Sequence, residues 1–325
     1  MTLPRAEIAD AVTEFDTEKE NRVQVTVLGA GGYLGSALTR RFVADGHEVT
    51  GLVRSERAAD SVRQTGARPV TGDLDDLTST RSAIAGTDAV VFAPQMLLDA
   101  EQRVVRDLLD ALAGSDAAFL FTSGTGVLSQ RTDGDWSEDT FAEDDDFVPS
   151  KYIGARCDTE RMVVDAAARG VRGMVFRPGM IWGHGGCPMI KEFYRSAATK
   201  GSVGYLGRGL NLYSNVHVDD VAAVYSRALQ AGRAGAVYHA VSGETNYRTL
   251  AEAVARDCGV PSRSLDFGEA VEIWGKFPTT IYFSVCSRAR GPRTRAELGW
   301  SPDPSRLDIL DDIGNPAYRE FFDKA

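Results

Sequence analysis

Residues 23–29, VQVTVLG, are a short, unbroken run of apolar and β-branched positions ending in glycine. Such a run suits a strand buried on both faces of a parallel sheet. The period then changes. In YLGSALTRRFVADG, Leu34, Leu38 and Phe42 recur at helical spacing and Gly46 supplies a stop. The alternation continues along the chain. HEVTGLVR predicts a strand, SERAADSVRQTG a helix and ARPVTGDL a strand; SAIAGTDAVVFAP is a helix end followed by a strand. EQRVVRDLLDALAGS predicts a helix, AAFLFTSG a strand, DTERMVVDAAARG a helix and VRGMVFRPG a strand. Strands and helices in this rhythm predict an α/β fold built on a doubly wound parallel sheet.

After Gly179 the pattern turns irregular and glycine-rich, until a helix (VDDVAAVYSRALQAG) and a strand (AVYHAVSG) return. The expected organisation has a flexible N-terminal extension at 1–21. The sheet domain takes 22–180 and 214–242, and a smaller substrate-binding region takes 181–213 and 243–325. The acidic stretch DGDWSEDTFAEDDDF, 133–147, reads best as a solvated surface loop. Its alternative is a mobile flap beside a site.

With 325 residues, 43% of them hydrophobic, the chain can bury one large core or two adjoining ones. A net charge of −10 argues against nucleic acid or an anionic membrane as partner, though not against a local basic pocket for a phosphate. Cys157, Cys187, Cys258 and Cys286 form no CxxC pair and read as free thiols. His47, His184, His217 and His239 show no metal-ligand spacing, so no metal is expected. The chain has no apolar run long enough to span a bilayer, and its first 22 residues lack the pattern of a signal peptide. A cytoplasmic location is expected.

GAGGYLG places Gly29, Gly32 and Gly35 after a strand, with Tyr33 and Leu34 opening a helix. That is the context of a Rossmann-type dinucleotide fingerprint: glycines let backbone approach a pyrophosphate, and the helix N-terminus offers free N–H groups. A turn that serves packing alone is the competing explanation. The second strand ends in Arg54 and Ser55, with Arg57 behind, where an NAD site usually carries an acid. A guanidinium there suits a 2′-phosphate, so NADP(H) is expected over NAD(H). A solvated surface role is the alternative, more natural for Arg57.

The chain resembles the extended short-chain dehydrogenase/reductase superfamily, in its NAD-dependent epimerase/dehydratase-like branch. The resemblance rests on GAGGYLG (29–35), GDL (72–74), FTSGTGVL (121–128), the Tyr152 segment, RPGMIWG (177–183), VHVDDVA (216–222) and AELGWSP (296–302), in the family's order. It implies Asp73 and Leu74 flanking an adenine, Ala93 and Pro94 along the cofactor, and Pro178, Gly179 and Met180 near a nicotinamide. It also implies a tyrosine acid/base, a lysine four residues on and a serine or threonine after the fifth strand. In KYIGARCDTE the tyrosine position is Tyr152, and Arg156 stands where the family has lysine. Taking Lys151 as the lysine instead would put Phe147 in the tyrosine position, and phenylalanine has no proton to transfer. Arginine keeps the charge but does not readily relay a proton. Ser123 is the first choice for the hydroxyl and Thr125 the second, both flanking Gly124.

Gln95, Trp182, Met189, Phe193 and Tyr213 are the expected substrate contacts, with Tyr194, Trp274, Phe277 and Tyr282 as further candidates; each also suits a core position. This lining predicts an apolar or aromatic small molecule. The expected activity is an NADP(H)-dependent reductase or dehydrogenase. A redox-neutral epimerase, dehydratase or cyclisation catalyst, or a non-enzymatic NADP sensor, stays open on the same fold. A homodimer is the default assembly.

Overall fold

The computed structural model describes residues 22–323; the predicted extension at 1–21 lies outside the described residues. The chain runs β1 (Gln24–Leu28), α1 (Tyr33–Ala44), β2 (Glu48–Val53), α2 (Glu56–Gln64), β3 (Arg68–Thr71), α3 (Leu77–Ile84), β4 (Ala89–Phe92), α4 (Leu98–Leu112), β5 (Ala118–Thr122), a short β6 (Gln130–Arg131), α5 (Gly154–Asp165) and β7 (Arg172–Pro178). Then come β8 (Met180–Trp182), α6 (Pro188–Lys200), β9 (Val203–Leu206), β10 (Leu212–His217), α7 (Val218–Ala231), β11 (Ala236–Ala240), β12 (Gly243–Asn246), α8 (Tyr247–Cys258), β13 (Ser262–Leu265) and α9 (Phe267–Trp274). The last third adds β14 (Val285–Cys286), α10 (Pro292–Leu298) and α11 (Pro316–Asp323).

Seven strands form one parallel sheet in the order β11-β7-β5-β4-β1-β2-β3. The order reverses between β1 and β4, and in such sheets ligands bind beyond the strand C-termini at that switch. The unbroken apolar run of β1 has its reason here. Val25 and Val27 pack on one face against Leu38 and Phe42 of α1 and Tyr225 of α7. Leu28 packs on the other face with Val90, Phe92, Val104 and Leu108. Neighbouring side chains of a strand point to opposite faces, so a strand covered on both must be apolar throughout.

A second core gathers Trp182, Phe193, Tyr194, Tyr247, Leu250, Trp274 and Phe283. Trp274 and Phe283 stack with ring centroids 3.9 Å apart. This core is built from β8–β10, α6, α8 and α9, and it covers the C-terminal end of the sheet. No helix among the described residues is long and apolar enough to cross a membrane.

The acidic stretch is largely a surface loop, as the favoured reading expected, and none of it lines the cleft, but its last third is tied to the body of the protein. Glu143 is buried and accepts from the Thr294 N–H and hydroxyl, each at 2.9 Å. Asp144 pairs with Arg293, and Asp145 with Arg290 at 3.0 Å. Basic residues of the C-terminal third, 290 and 293, thus pin it down, and sequence distance hid them. The helix predicted from Asp158 starts earlier, at Gly154.

A cofactor cleft and its reacting end

At the end of β1, Gly29 takes φ +80°, a left-handed value that favours glycine, and a Cβ there would meet Pro94 N at 3.0 Å. Gly32 caps α1 with no side-chain hydrogen bond, so the first N–H groups of that helix are open to a ligand. Gly35 has a different role. A Cβ there would lie 2.1 Å from the Gly29 carbonyl oxygen, so it packs helix onto turn and does not line the cleft. Tyr33 bridges the two cores: its hydroxyl donates to the Gly183 carbonyl at 2.6 Å, and its ring occupies the space a side chain on Gly186 would need.

These residues open onto a cavity of about 1080 Å³. That is at the upper limit of roughly 300–1,000 Å³ for a drug-sized ligand, which suits a dinucleotide with a substrate beside it. Gly29, Gly32, Tyr33, Leu34, Arg54, Ser55, Asp73, Leu74, Ala93 and Pro94 line one half; Pro178, Gly179 and Met180 line the other. The open helix N-terminus and the glycine surface fit a pyrophosphate. Arg54 is exposed at the rim, while the Ser55 hydroxyl caps α2 by accepting from the Ala58 N–H at 3.3 Å.

The reacting end is held by two buried ion pairs. Arg156 on α5 donates to Glu101 on α4 at 2.7 Å, with the Glu101 side chain 1% exposed. Burial pushes the Glu101 carboxyl up to about 7; the Arg156 charge opposes this and Glu160 adds to it. Glu160 is clasped by Arg177 at 2.5–3.2 Å, and the Ser123 hydroxyl donates to Glu160 at 2.5 Å. Ser123, Thr125 and Arg156 all line the cleft. Ser123 gives its proton to Glu160, whereas the buried Thr125 hydroxyl has no hydrogen-bond partner among the described residues.

The match that places the chain covers most of this architecture: residues 25–242 fit the model of the NAD-dependent epimerase/dehydratase family. The chain belongs to that family. An uncharacterized protein of Schizosaccharomyces pombe is 30% identical over 306 residues, covering 91% of this chain and 100% of the relative. The 4-hydroxy-2-methyl-3-oxo-4-farnesyl-3,4-dihydroquinoline-1-oxide ketoreductase of Stigmatella aurantiaca is 28% identical over 242 residues, 67% of each chain. A dTDP-glucose 4,6-dehydratase from Streptomyces venezuelae, solved with NAD and TYD bound, shares the fold at TM-score 0.72 and 18% identity, covering 91% of this chain and 97% of that one.

Within this NAD-dependent epimerase/dehydratase fold, Tyr152 sits apart. It is 44% exposed, in the turn before α5, with the Lys151 ammonium 5.0 Å from its ring centroid. The cleft wall there is Ile153. The physical reason is where the helix begins. Residues four apart share a face only within a helix, and α5 starts at Gly154, after the tyrosine.

The expected substrate contacts divide. Gln95, Met189 and Tyr213 line the cleft; Trp182 and Phe193 do not. Trp182 is core, its indole N–H donating to Asn215 at 3.1 Å and its ring edge-on to His217. Phe193 is fully buried among Tyr247, Trp274 and Phe283. Of the further candidates, Trp274 and Tyr282 line the cleft, while Tyr194 and the 61% exposed Phe277 do not. Sequence reasoning missed Glu101, Ile153 and Tyr247. An acid at a helical core position was the one available signal, for Glu101. It also missed His184, His217 and Asp219, whose donor atoms lie within 4.8 Å of one another. There, His217 Nδ1 accepts the Asp219 N–H and the Arg306 guanidinium is 3.8 Å from the Asp219 carboxylate. An ion-paired helix cap accounts for that set without a cation.

Proposed function

We propose that this protein reduces a small apolar or aromatic carbonyl compound with a nicotinamide dinucleotide, preferring NADPH to NADH. One observation carries the reading: the phosphate cradle opens directly onto a wall of Met180, Met189, Tyr213, Trp274 and Tyr282, with hydroxyls and Arg156 at the junction. Apolar and aromatic surface with few convergent polar groups suits a compact hydrophobic substrate. The similarity to a ketoreductase supports the same class. Arg54 and Ser55 at the cleft supply a cation and a hydroxyl for a 2′-phosphate.

When bound, the nicotinamide supplies the hydride. The chain's own groups do the rest. Glu101 fixes Arg156, which keeps a positive charge at the junction. Glu160 accepts the Ser123 hydroxyl's hydrogen bond and so leaves that hydroxyl only its acceptor lone pairs for a substrate. Thr125 lines the cleft beside the Tyr213 phenol, and its hydroxyl can donate to a substrate oxygen. On this account Thr125, the second choice from sequence, is the better donor.

The test is direct binding of NADPH and NADH, followed by oxidation of the preferred cofactor against aromatic and aliphatic ketones. NADPH is expected to bind at least about tenfold tighter, 1.4 kcal/mol, with turnover of at least one apolar ketone. Equal or tighter NADH binding removes the cofactor preference. Tight binding with no oxidation on any ketone points to redox-neutral chemistry instead.

A further inference from the structure

Reduction of a carbonyl requires a proton for its oxygen, and the groups facing the junction restrict the source. The Tyr152 phenol is outside the cleft wall, and Ile153, which stands in the wall, has no proton to give. The Ser123 proton is held by Glu160 at 2.5 Å. Arg156 does not deprotonate readily. Three phenols brought in from the C-terminal half also line the cleft, alongside Lys191 and Glu192 of α6: Tyr213 on β10, Tyr247 at the start of α8, and Tyr282.

Of these, Tyr213 brings its hydroxyl against the loop that follows β5. The oxygen is 3.3 Å from where a Cβ on Gly126 would stand, an approach the missing side chain permits. The neighbouring residue is Thr125, whose buried hydroxyl faces the Tyr213 phenol and is otherwise without a hydrogen-bond partner among the described residues. Tyr213 itself is 6% exposed and borders the cavity. Tyr247 is more deeply enclosed, at 1%. Two hydroxyls, one from the β5 loop and one from β10, thus converge on one side of the junction, as the serine and tyrosine of a reductase site must.

We propose that Tyr213 is the catalytic proton donor of this cleft, in place of Tyr152, with Thr125 as the second hydroxyl on the substrate oxygen. The inference rests on the reductase reading. In the step, the carbonyl carbon gains the hydride of the reduced nicotinamide and the C=O π pair moves to oxygen. That oxygen takes the Tyr213 proton. The alcohol leaves, and the phenolate recovers a proton from water. Burial first, and then the neighbouring Tyr282, push the Tyr213 phenol up to about 12, so it is protonated at neutral pH. A developing alkoxide is a far stronger base than phenolate, so the transfer runs downhill in the reductive direction. The same high value makes the reverse oxidation slow, because phenolate is scarce near neutrality.

The experiment compares wild type with Tyr213→Phe and Tyr152→Phe in NADPH oxidation against the ketone panel. NADPH dissociation constants and melting temperatures are measured on the same samples. Tyr213→Phe is expected to lower kcat by about 100-fold or more. KM and NADPH affinity are expected to stay within about threefold. Tyr152→Phe, outside the cleft wall, is expected to retain most of the turnover. Turnover retained by Tyr213→Phe, or lost in Tyr152→Phe with cofactor binding intact, overturns the assignment while the reductase reading stands. A collapse of NADPH affinity in Tyr213→Phe also overturns it, by showing a structural role. No oxidation by wild type on any ketone overturns the reductase reading itself, and the assignment with it.

Discussion

The two ends of the cleft are built from different material. At the cofactor end the surface is backbone: a glycine turn, a helix N-terminus and the ends of adjacent parallel strands. At the reacting end it is side chains from α5, α6, β10, α9 and the segment around Tyr282, elements far apart in sequence. Backbone surfaces follow from local spacing, because glycine positions and helix starts set them within a few residues. Side-chain constellations depend on how separate elements pack, so local spacing does not determine them.

A single methyl at the backbone end gives the strongest test of this contrast. Gly35→Ala puts a Cβ 2.1 Å from the Gly29 carbonyl oxygen, with no flexible side chain to yield. The expected cost is about 4 kcal/mol or more, read as a fall in urea midpoint together with loss of dinucleotide binding. A variant that melts and binds like wild type shows that the turn tolerates an alternative helix start.

The reacting end answers to pH. The Glu101 carboxyl rises from an ordinary 4.5 to about 7 in the folded protein. A raised acid binds a proton more tightly folded than unfolded, so its contribution is complete below pH 4.5 and is lost as pH climbs through 7. At 1.36 kcal/mol per unit that is about 3 kcal/mol. Urea unfolding of wild type across this window is expected to show the decline, and Glu101→Gln, which cannot titrate, to remove that component. An unchanged slope in the variant means that the Arg156 pair holds the carboxylate ionised throughout.

The smallest effect sharpens the cofactor side. Arg54→Ala is expected to weaken NADPH binding by about tenfold, 1.4 kcal/mol, and to leave NADH binding within about twofold, by direct titration. Equal losses for both cofactors assign Arg54 to general electrostatics.

The alternating pattern from Val23 onward was enough to read the sheet, its helices and the glycine turn between β1 and α1. Leu34, Leu38 and Phe42 all bury as their spacing requires. In contrast, the resemblance pairs Tyr152 with Arg156 by their spacing in KYIGARCDTE, but α5 begins at Gly154, after the tyrosine, so the two do not share a helical face. Trp182 and Phe193 show a related limit. Their composition suits a substrate wall or a core equally; Phe193 is drawn into the core by Tyr247 of α8 and Trp274 of α9, and Trp182 by Asn215 and His217 of β10.

The sequence by itself determined what depends on neighbours in the chain: strand burial, helix periodicity, the glycine turn and the charge after β2. Only the tertiary structure decided which phenols line the cleft, that Ser123 donates to Glu160, and that Glu101 anchors Arg156 across 55 positions. The physical reason is range. Backbone conformation is set by sterics over a few residues, whereas burial, ion pairing and the direction of a side chain are set by whatever distant element packs against it.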